Sequence, residues 1–137
     1  MPTQLTPYLA FRDTAREALE FYRSVLGGEF TVSTFGEYGM GGPAERDRIM
    51  HGQLVTAGGM LLMASDRPDE IPLESENAIS LSLSGDDADE LTAYFTGLSD
   101  GGTVGVPLEK APWGDSFGMV TDRYGIHWMI NISGEAA

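Results

Sequence analysis

The sequence predicts an α+β fold made of two tandem βαβββ units. Each half of the chain opens with a short apolar segment, continues with apolar residues at spacings of three and four, and ends in a hairpin pattern. Spacings of three and four are typical of a helix with one buried face, whereas short apolar or alternating runs are typical of strands. The same order of elements is found twice along the chain, which indicates a duplicated unit.

The first unit is predicted to begin with a strand over 5–11, after which Asp13 is a candidate N-cap for a helix. The helix is expected from Ala15 to Leu26, because its apolar positions lie on one face. Gly27-Gly28 then ends the helix, since glycine accepts the positive φ that a helix C-cap commonly needs.

The remainder of the first unit is predicted as a strand, a loop and a hairpin. The strand covers 29–34, the glycine-rich loop covers 35–48, and the hairpin pairs 49–56 with 60–64. The next segment, 66–77, is predicted to be a solvated linker because it carries a run of acids: Asp66, Asp69, Glu70, Glu74 and Glu76.

The second unit repeats this order. A strand over 78–83 is followed by a helix that Asp86 or Asp87 caps and that Gly101-Gly102 closes. A strand over 103–106, a loop over 107–113 and a hairpin of 115–121 with 126–132 complete the unit.

The two units can be aligned by constant shifts in residue number. A shift of 72 places Leu19 on Leu91 in the helices, and a shift of 74 places Gly27-Gly28 on Gly101-Gly102. In the hairpins, a shift of 66 brings three residues of the first unit onto identical residues of the second: Gly52 onto Gly118, Gly59 onto Gly125 and Met63 onto Met129. The fall from 74 to 66 predicts eight extra residues in the first unit, within its glycine-rich loop.

Length and charge restrict the possible functions. The chain has 137 residues, the size of a single domain, and no cysteine, which excludes disulfides and thiolate chemistry. Its formal net charge of −13 would repel nucleic acid and anionic membranes. We therefore expect a soluble cytoplasmic protein with no export signal or membrane span, and with neither nucleic acid nor membrane as a partner.

Several segments together resemble one superfamily. They are Pro7-Tyr8-Leu9-Ala10-Phe11, Ala18-Leu19-Glu20-Phe21-Tyr22, Met50-His51-Gly52-Gln53-Leu54, Met63-Ala64-Ser65-Asp66, Trp113-Gly114-Asp115 and Asp122-Arg123-Tyr124-Gly125-Ile126-His127-Trp128. With the duplicated unit, these segments resemble the vicinal-oxygen-chelate superfamily, which includes glyoxalase I, bleomycin resistance proteins and dioxygenases, and in particular its PhnB-like branch. The resemblance implies one domain over 1–137, with units at about 4–65 and 78–133 joined by the linker, whose strands form an eight-stranded open barrel.

The resemblance also implies where a metal site would lie. Metal enzymes of the superfamily take His, Gln and Glu ligands from the first and last strands of each unit. Here the matching positions fall on Pro7 or Tyr8, on Ala78 or Ile79, and on the two methionines Met63 and Met129. Thioether sulfur is a poor ligand for hard divalent ions. We therefore expect no cofactor, and a divalent metal only through a different ligand set.

Two histidines and one aspartate are the candidates for chemistry. His51, with Gln53 on the same strand face, is a candidate catalytic or ligand-orienting group, and the alternative is a hydrogen-bonded structural histidine. The same two alternatives apply to His127. Asp115 follows Gly114 at the entry to a strand, where aspartate usually stabilises a turn. We expect that structural role for Asp115, although its strand would border the cavity.

Large apolar residues are expected to line a ligand pocket around these polar groups, the alternative being that they form core. The predicted pocket residues are Tyr8, Met50, His51, Gln53, Met63, Trp113, Phe117, Met119, Trp128 and Met129, with Phe11 also considered.

Two functions follow from the sequence. The first is a metal-free homodimeric protein that binds a compact, partly aromatic small molecule. The second is an enzyme of the lyase, isomerase or dioxygenase type that uses His51 with a non-standard metal or acid/base site. The homodimer is expected because strand edges invite pairing and because superfamily relatives of this length usually dimerise. Methyl transfer, a label sometimes given to this branch, has no supporting nucleotide-binding fingerprint in the sequence.

Overall fold

The computed structural model of the protein describes residues 3–69 and 79–134. The chain divides into two compact units, one on each side of the segment 70–78. Within these described residues, each unit contains one α-helix and one four-stranded sheet, so the predicted α+β class with duplicated βαβββ units is confirmed. Among the described residues, no helix is both long enough and apolar enough to cross a membrane.

Unit one contains four strands and one long helix. Its elements are β1 (Tyr8–Phe11), α1 (Ala15–Leu26), β2 (Glu29–Thr34), β3 (Ile49–Val55) and β4 (Leu61–Asp66), with a 3₁₀ turn at Gly36–Tyr38. The sheet order is β1-β4-β3-β2, in which β1 runs parallel to β4 and the other pairs are antiparallel.

Unit two has the same topology. Its elements are β5 (Leu81–Gly85), α2 (Ala88–Ser99), β6 (Thr103–Lys110), β7 (Ser116–Thr121) and β8 (His127–Ile132). The sheet order is β5-β8-β7-β6, with the parallel pair again between the first and last strands.

Each helix packs against one face of its sheet at a glycine. A Cβ on Gly52 would lie 2.5 Å from Leu19 Cδ1 of α1, and a Cβ on Gly118 would lie 2.8 Å from Phe95 Cε2 of α2. Strand side chains alternate between faces. Residues next to these glycines on β3 and β7 therefore point to the opposite face, which we call the helix-distal face.

The aligned glycines occupy matching positions in the two units. Gly59 and Gly125 both have a φ of +87° in their hairpin turns. A Cβ at Gly28 would collide with the Val55 carbonyl oxygen, and one at Gly102 with the corresponding oxygen of Thr121. The shift of 66 relates these two carbonyls as well, so the predicted alignment of the hairpins is confirmed.

Asp66 is buried, although the sequence places it in a solvated linker. It is 3% exposed at the end of β4, where its Oδ1 accepts a hydrogen bond from the Ala15 amide and its Oδ2 accepts one from the Ile49 amide. The Ala15 amide is one of the free donors at the start of α1. Asp66 therefore joins the helix N-terminus to β3 and β4. The rest of the predicted linker, apart from residues 67–69, lies outside the described residues.

Asp13 does not cap α1, contrary to the sequence-based expectation. The N-cap position is Thr14, whose side chain makes no capping hydrogen bond. Asp13 has a φ of +68° and forms an ion pair with Arg48 instead. The distant Asp66 carboxylate supplies the acceptor that a local cap would otherwise provide. In unit two, by contrast, Asp87 caps α2 by accepting a hydrogen bond from the Glu90 amide.

The predicted loop over 107–113 is wrong in its first part, because β6 continues to Lys110. Pro107 is tolerated there since β6 is an edge strand, and the pairing with β7 shifts register on each side of Val106. The first strand of unit two begins at Leu81, so Ile79 precedes it and Ala78 lies outside the described residues.

Replacing Asp66 with asparagine should destabilise unit one. In Asp66→Asn, the amide group can present an oxygen to one of the two backbone donors but not to both. The free energy of unfolding should fall by about 1–3 kcal/mol, the usual cost of an unsatisfied buried group. Urea unfolding measures the change, and the exposed Asp47 gives a matched control in Asp47→Asn. Equal stability of the two variants would contradict the role assigned to Asp66.

Candidate functional site

The helix-distal face of unit one brings three polar candidates together. Gln53 of β3 pairs across the sheet with Met63 of β4, and Met63 pairs with Tyr8 of β1. His51 lies two residues before Gln53 on the same face of β3. Four predicted pocket residues therefore share one surface, on three adjacent strands.

Tyr8 and His51 interact directly. The Tyr8 hydroxyl lies 3.0 Å from His51 Nδ1, and the two rings are tilted with centroids 5.7 Å apart. Within the described part of the chain, neither His51 Nε2 nor the side-chain amide of Gln53 has a hydrogen-bond partner. The arrangement fixes one imidazole nitrogen and leaves the other able to accept or donate a hydrogen bond.

The corresponding face of unit two is more apolar. Phe117 and Met119 of β7 lie at the positions of His51 and Gln53 after the shift of 66, and Met119 pairs with Met129 of β8. Trp113, which is 67% exposed, lies 6.3 Å from Phe117 between ring centroids. The two faces therefore share a backbone pattern and differ in side-chain chemistry.

Of the other predicted pocket residues, Trp128 lies elsewhere and Met50 is not assigned to a face. Trp128 is 3% exposed, and its Nε1 donates a hydrogen bond of 2.8 Å to Asp122 Oδ2. Because Trp128 alternates with Met129, it belongs to the buried face beside α2 and is not on the helix-distal face. Met50 lies where the pairing of β2 and β3 shifts between Ser33 and Thr34, so simple alternation does not assign its face.

His127 is held by a neighbouring strand. Its Nδ1 lies 2.8 Å from the Thr121 hydroxyl, directly across the β7–β8 pair. This contact agrees with the structural alternative considered for His127. It also leaves Nε2 without a hydrogen-bond partner among the described residues.

Asp115 holds the end of β8. Its carboxylate accepts hydrogen bonds from the Gly134 amide at 2.8 Å and from Asn131 Nδ2 at 3.1 Å. The Gly134 hydrogen bond, followed by that of Asn131, holds the pKa of Asp115 below its ordinary value. These contacts support the local structural role that the sequence suggested for Asp115.

The donors at the positions where the superfamily resemblance implies metal ligands do not fit a hard divalent ion. Tyr8 lies opposite Met63 in unit one, and Ser82 lies opposite Met129 in unit two. Ser82 therefore takes the position that the sequence alignment gave to Ala78 or Ile79. Neither the phenol and thioether of unit one nor the hydroxyl and thioether of unit two supply the carboxylate or imidazole that such ions prefer. No group of three His, Asp or Glu residues suited to a metal was found in residues 3–69 and 79–134.

Sequence reasoning missed a polar cleft beside the start of α1. The cleft has a volume of about 520 Å³ and is lined by Asp13, Arg16, Glu17, Glu20, Ala44, Asp47, Arg48, Ile49 and Asp66. Arg48 bonds to Asp69 at 2.8 Å and pairs with Asp13, and the Asp69 hydrogen bond raises the pKa of Arg48. The same hydrogen bond lowers the pKa of Asp69. None of the predicted pocket residues lines this cleft, and local patterns gave no sign of it because its residues come from distant segments.

Asp115 should contribute stability that depends on pH. Its folded pKa is lowered, so the contribution is present above the unfolded pKa of about 4 and is lost as pH falls through the folded value. The difference in free energy of unfolding between the parent and Asp115→Asn should therefore be constant near neutrality and shrink below pH about 4. Urea titrations at several pH values measure it. A difference that grows on acidification would contradict the assignment.

Comparisons with known proteins agree with this fold. A family model described as 3-demethylubiquinone-9 3-methyltransferase matches residues 3–131. The crystal structure of protein PA1353 from Pseudomonas aeruginosa is 38% identical, with a TM-score of 0.88, covering 98% of this chain and 100% of that chain. A PhnB protein of Bacillus cereus, described in the same words as the family, is 26% identical with a TM-score of 0.76, covering 96% of this chain and 100% of that chain.

A more distant structure shows the wider fold. A glyoxylase/bleomycin resistance protein/dioxygenase domain from Frankia sp. EAN1pec is 15% identical, with a TM-score of 0.68, covering 100% of this chain and 96% of that chain. This likeness concerns the fold alone. The family match over nearly the whole chain confirms the PhnB-like resemblance found in the sequence, and the fold is like that of the glyoxalase/bleomycin resistance/dioxygenase superfamily: the chain belongs to the PhnB-like family described as 3-demethylubiquinone-9 3-methyltransferase.

Proposed function

We propose that this protein binds a small molecule on the helix-distal face of unit one, without a divalent metal ion. The observation that carries the proposal is the hydrogen bond between Tyr8 and His51. It orients the imidazole so that Nε2 and the nearby Gln53 amide can both bind a ligand, while Met63 supplies apolar contact. Small-ligand sites usually combine apolar or aromatic contact with a few polar groups fixed in position, and Met63, the Tyr8 ring, His51 and Gln53 supply that combination here.

The surrounding residues favour an uncharged or weakly polar ligand with hydrogen-bond acceptors. Thr31 and Ser33 of β2 pair with Gln53 and His51 and carry hydroxyls, and the carboxylate of Glu29 lies further along β2, opposite Val55. Tyr8, which is 52% exposed, offers an aromatic surface for the ligand. We infer a compact molecule with one or two carbonyl or hydroxyl oxygens and an apolar or aromatic part.

The second unit supports this proposal because it serves as an internal comparison. Phe117 and Met119 occupy the positions of His51 and Gln53 on the same backbone pattern. The fold therefore accepts apolar side chains at both positions, and the polar pair of unit one is not needed for folding. A function on that face explains why histidine and glutamine stand there.

Methyl transfer is less well supported than binding. Nucleotide cofactors such as S-adenosylmethionine commonly bind at glycine-rich turns of open parallel sheets. Both sheets here are mixed, with a single parallel pair in each. Addition of S-adenosylmethionine in a thermal-shift assay gives a direct comparison with other ligands.

An enzyme that uses His51 is the second candidate function. The Tyr8 hydroxyl beside Nδ1 favours it, because such a contact orients an imidazole for proton transfer at Nε2. The substrate would then carry a carbonyl or a vicinal diol. A saturable rise in Tm on adding Mn²⁺, Ni²⁺, Zn²⁺ or Fe²⁺ to chelator-treated protein would favour metal-assisted catalysis over metal-free binding.

Ligand binding should depend on the Tyr8–His51 pair. A thermal-shift screen of small aromatic carbonyl and hydroxyl compounds identifies ligands of the parent protein, and calorimetry gives their affinities. Tyr8→Phe and His51→Phe should each weaken binding about tenfold or more, the value of one good hydrogen bond. His51→Phe introduces the residue that unit two already holds at the matching position, so the variant should remain folded.

The matched control for Tyr8→Phe is Tyr38→Phe. Tyr38 is 61% exposed, lies in the loop between β2 and β3, and is not one of the proposed binding residues. The control should bind the same compounds as the parent does. If all three variants bind equally well, the ligand does not bind at this face.

We further propose that the protein is a cytoplasmic homodimer. Edge strand β6 supports a dimer, because Val104 and Val106 are 43% and 39% exposed along it and unpaired edges favour association. Light scattering at micromolar concentration should give twice the 14.7 kDa chain mass. A mass of one chain would contradict the dimer and leave the ligand proposal to its own test.

A further inference from the structure

We propose that unit two carries a binding site for a soft monovalent cation, Cu(I), formed by the thioethers of Met119 and Met129 and the imidazole of His127. This site lies on the helix-distal face of unit two and shares no residue with the proposed small-molecule site of unit one. Thioether sulfur and imidazole nitrogen are ligands that suit Cu(I).

The strand register brings the three donors together. Met119 of β7 lies directly opposite Met129 of β8, and His127 lies two residues before Met129 on the same face. Opposite residues in an antiparallel pair have Cβ atoms about 5 Å apart, and diagonal neighbours are about 7–8 Å apart. Methionine is long, unbranched and flexible. Both sulfur atoms can therefore reach an ion that also touches the imidazole.

His127 is oriented for this role by Thr121. The Thr121 hydroxyl lies 2.8 Å from His127 Nδ1. When Nδ1 donates its proton to that hydroxyl, Nε2 keeps the lone pair that binds a metal. Histidines that bind metals usually have their other ring nitrogen fixed by a hydrogen bond of this kind.

The flanking residues suit a soft ion better than a hard one. Met119 pairs with Val106 on one side, and Met129 pairs with Ser82 on the other, so neither neighbour in the row is charged. Hard divalent ions need carboxylate or carbonyl oxygen, whereas a d¹⁰ monovalent ion binds well to two thioethers and one imidazole. All three donors are half-buried, and an ion can reach them.

Unit one provides a natural comparison. The shift of 66 places Gln53, Met63 and Leu61 at the positions of Met119, Met129 and His127. Unit one therefore holds one thioether where unit two holds two thioethers and an imidazole. The proposal predicts a soft-metal site in unit two and none at the matching place in unit one.

Silver binding tests the proposal, because Ag⁺ is a soft d¹⁰ ion that is stable in air. Ag⁺ is titrated into the parent protein in chloride-free buffer, with excess free methionine present to compete for weak sites. Calorimetry gives the heat of binding, and thermal unfolding gives the Tm with and without the ion. One ion should bind per chain and raise Tm. Met119→Leu and Met129→Leu, which nearly conserve volume, should each weaken binding about tenfold or more, as should His127→Gln. The matched control Met40→Leu, in the loop between β2 and β3 and 49% exposed, should bind as the parent does.

Anaerobic titration with Cu(I) should follow the same order of variants. The proposal is overturned if the parent binds no ion in the presence of free methionine. It is equally overturned if Met119→Leu binds Ag⁺ as well as the parent does, or if Met119→Leu and the control Met40→Leu lose binding to the same extent. Circular dichroism of each variant separates lost binding from lost folding. Where a variant does not fold, a protein with norleucine in place of every methionine is tested instead. That protein should stay folded and lose the ion.

Discussion

The packing of one helix against a glycine in the third strand of each unit determines the arrangement of the other residues. Gly52 and Gly118 have no side chain, so Leu19 and Phe95 can approach the sheet closely at these points. This contact fixes which face of each sheet is buried. Because side chains alternate, it also fixes that His51 and Gln53 lie on the helix-distal face with Met63. A shift of one residue in the register would bury both polar groups beneath the helix.

The duplicated units keep the scaffold and vary the surface. The scaffold positions correspond closely: Thr56 and Asp122 are both buried at the hairpin turn, and each accepts a hydrogen bond from the amide four residues later. The helix-distal positions, by contrast, hold His51 in one unit and Phe117 in the other. Residues that close the turns and seat the helices are constrained by packing, whereas those on the helix-distal faces can serve binding.

Much of the fold could be predicted because its signals are local. The spacing of apolar residues predicts the buried face of the helix over Ala15–Leu26, and the matching positions of glycines in the two units predict the turns. Asp66 could not be predicted, because its partner amide at Ala15 lies 51 residues away in sequence. The acidic run around Asp66 indicated solvent, and only tertiary structure shows the two backbone donors that hold its carboxylate.

The candidate site was predicted in part, for similar reasons. Alternation places His51 and Gln53 together, but the Tyr8 hydroxyl reaches His51 from another strand, a contact that sequence spacing does not contain. Trp128 was grouped with the pocket for its size, whereas its indole nitrogen is bound by Asp122 on the buried face.

Imidazole NMR tests the central claim most directly, because the chain has two histidines, His51 and His127. Titration with a ligand found by thermal shift should change the ¹⁵N resonances of His51 saturably and leave those of His127 in place. A protein saturated with ligand whose His51 resonances do not move would contradict the account.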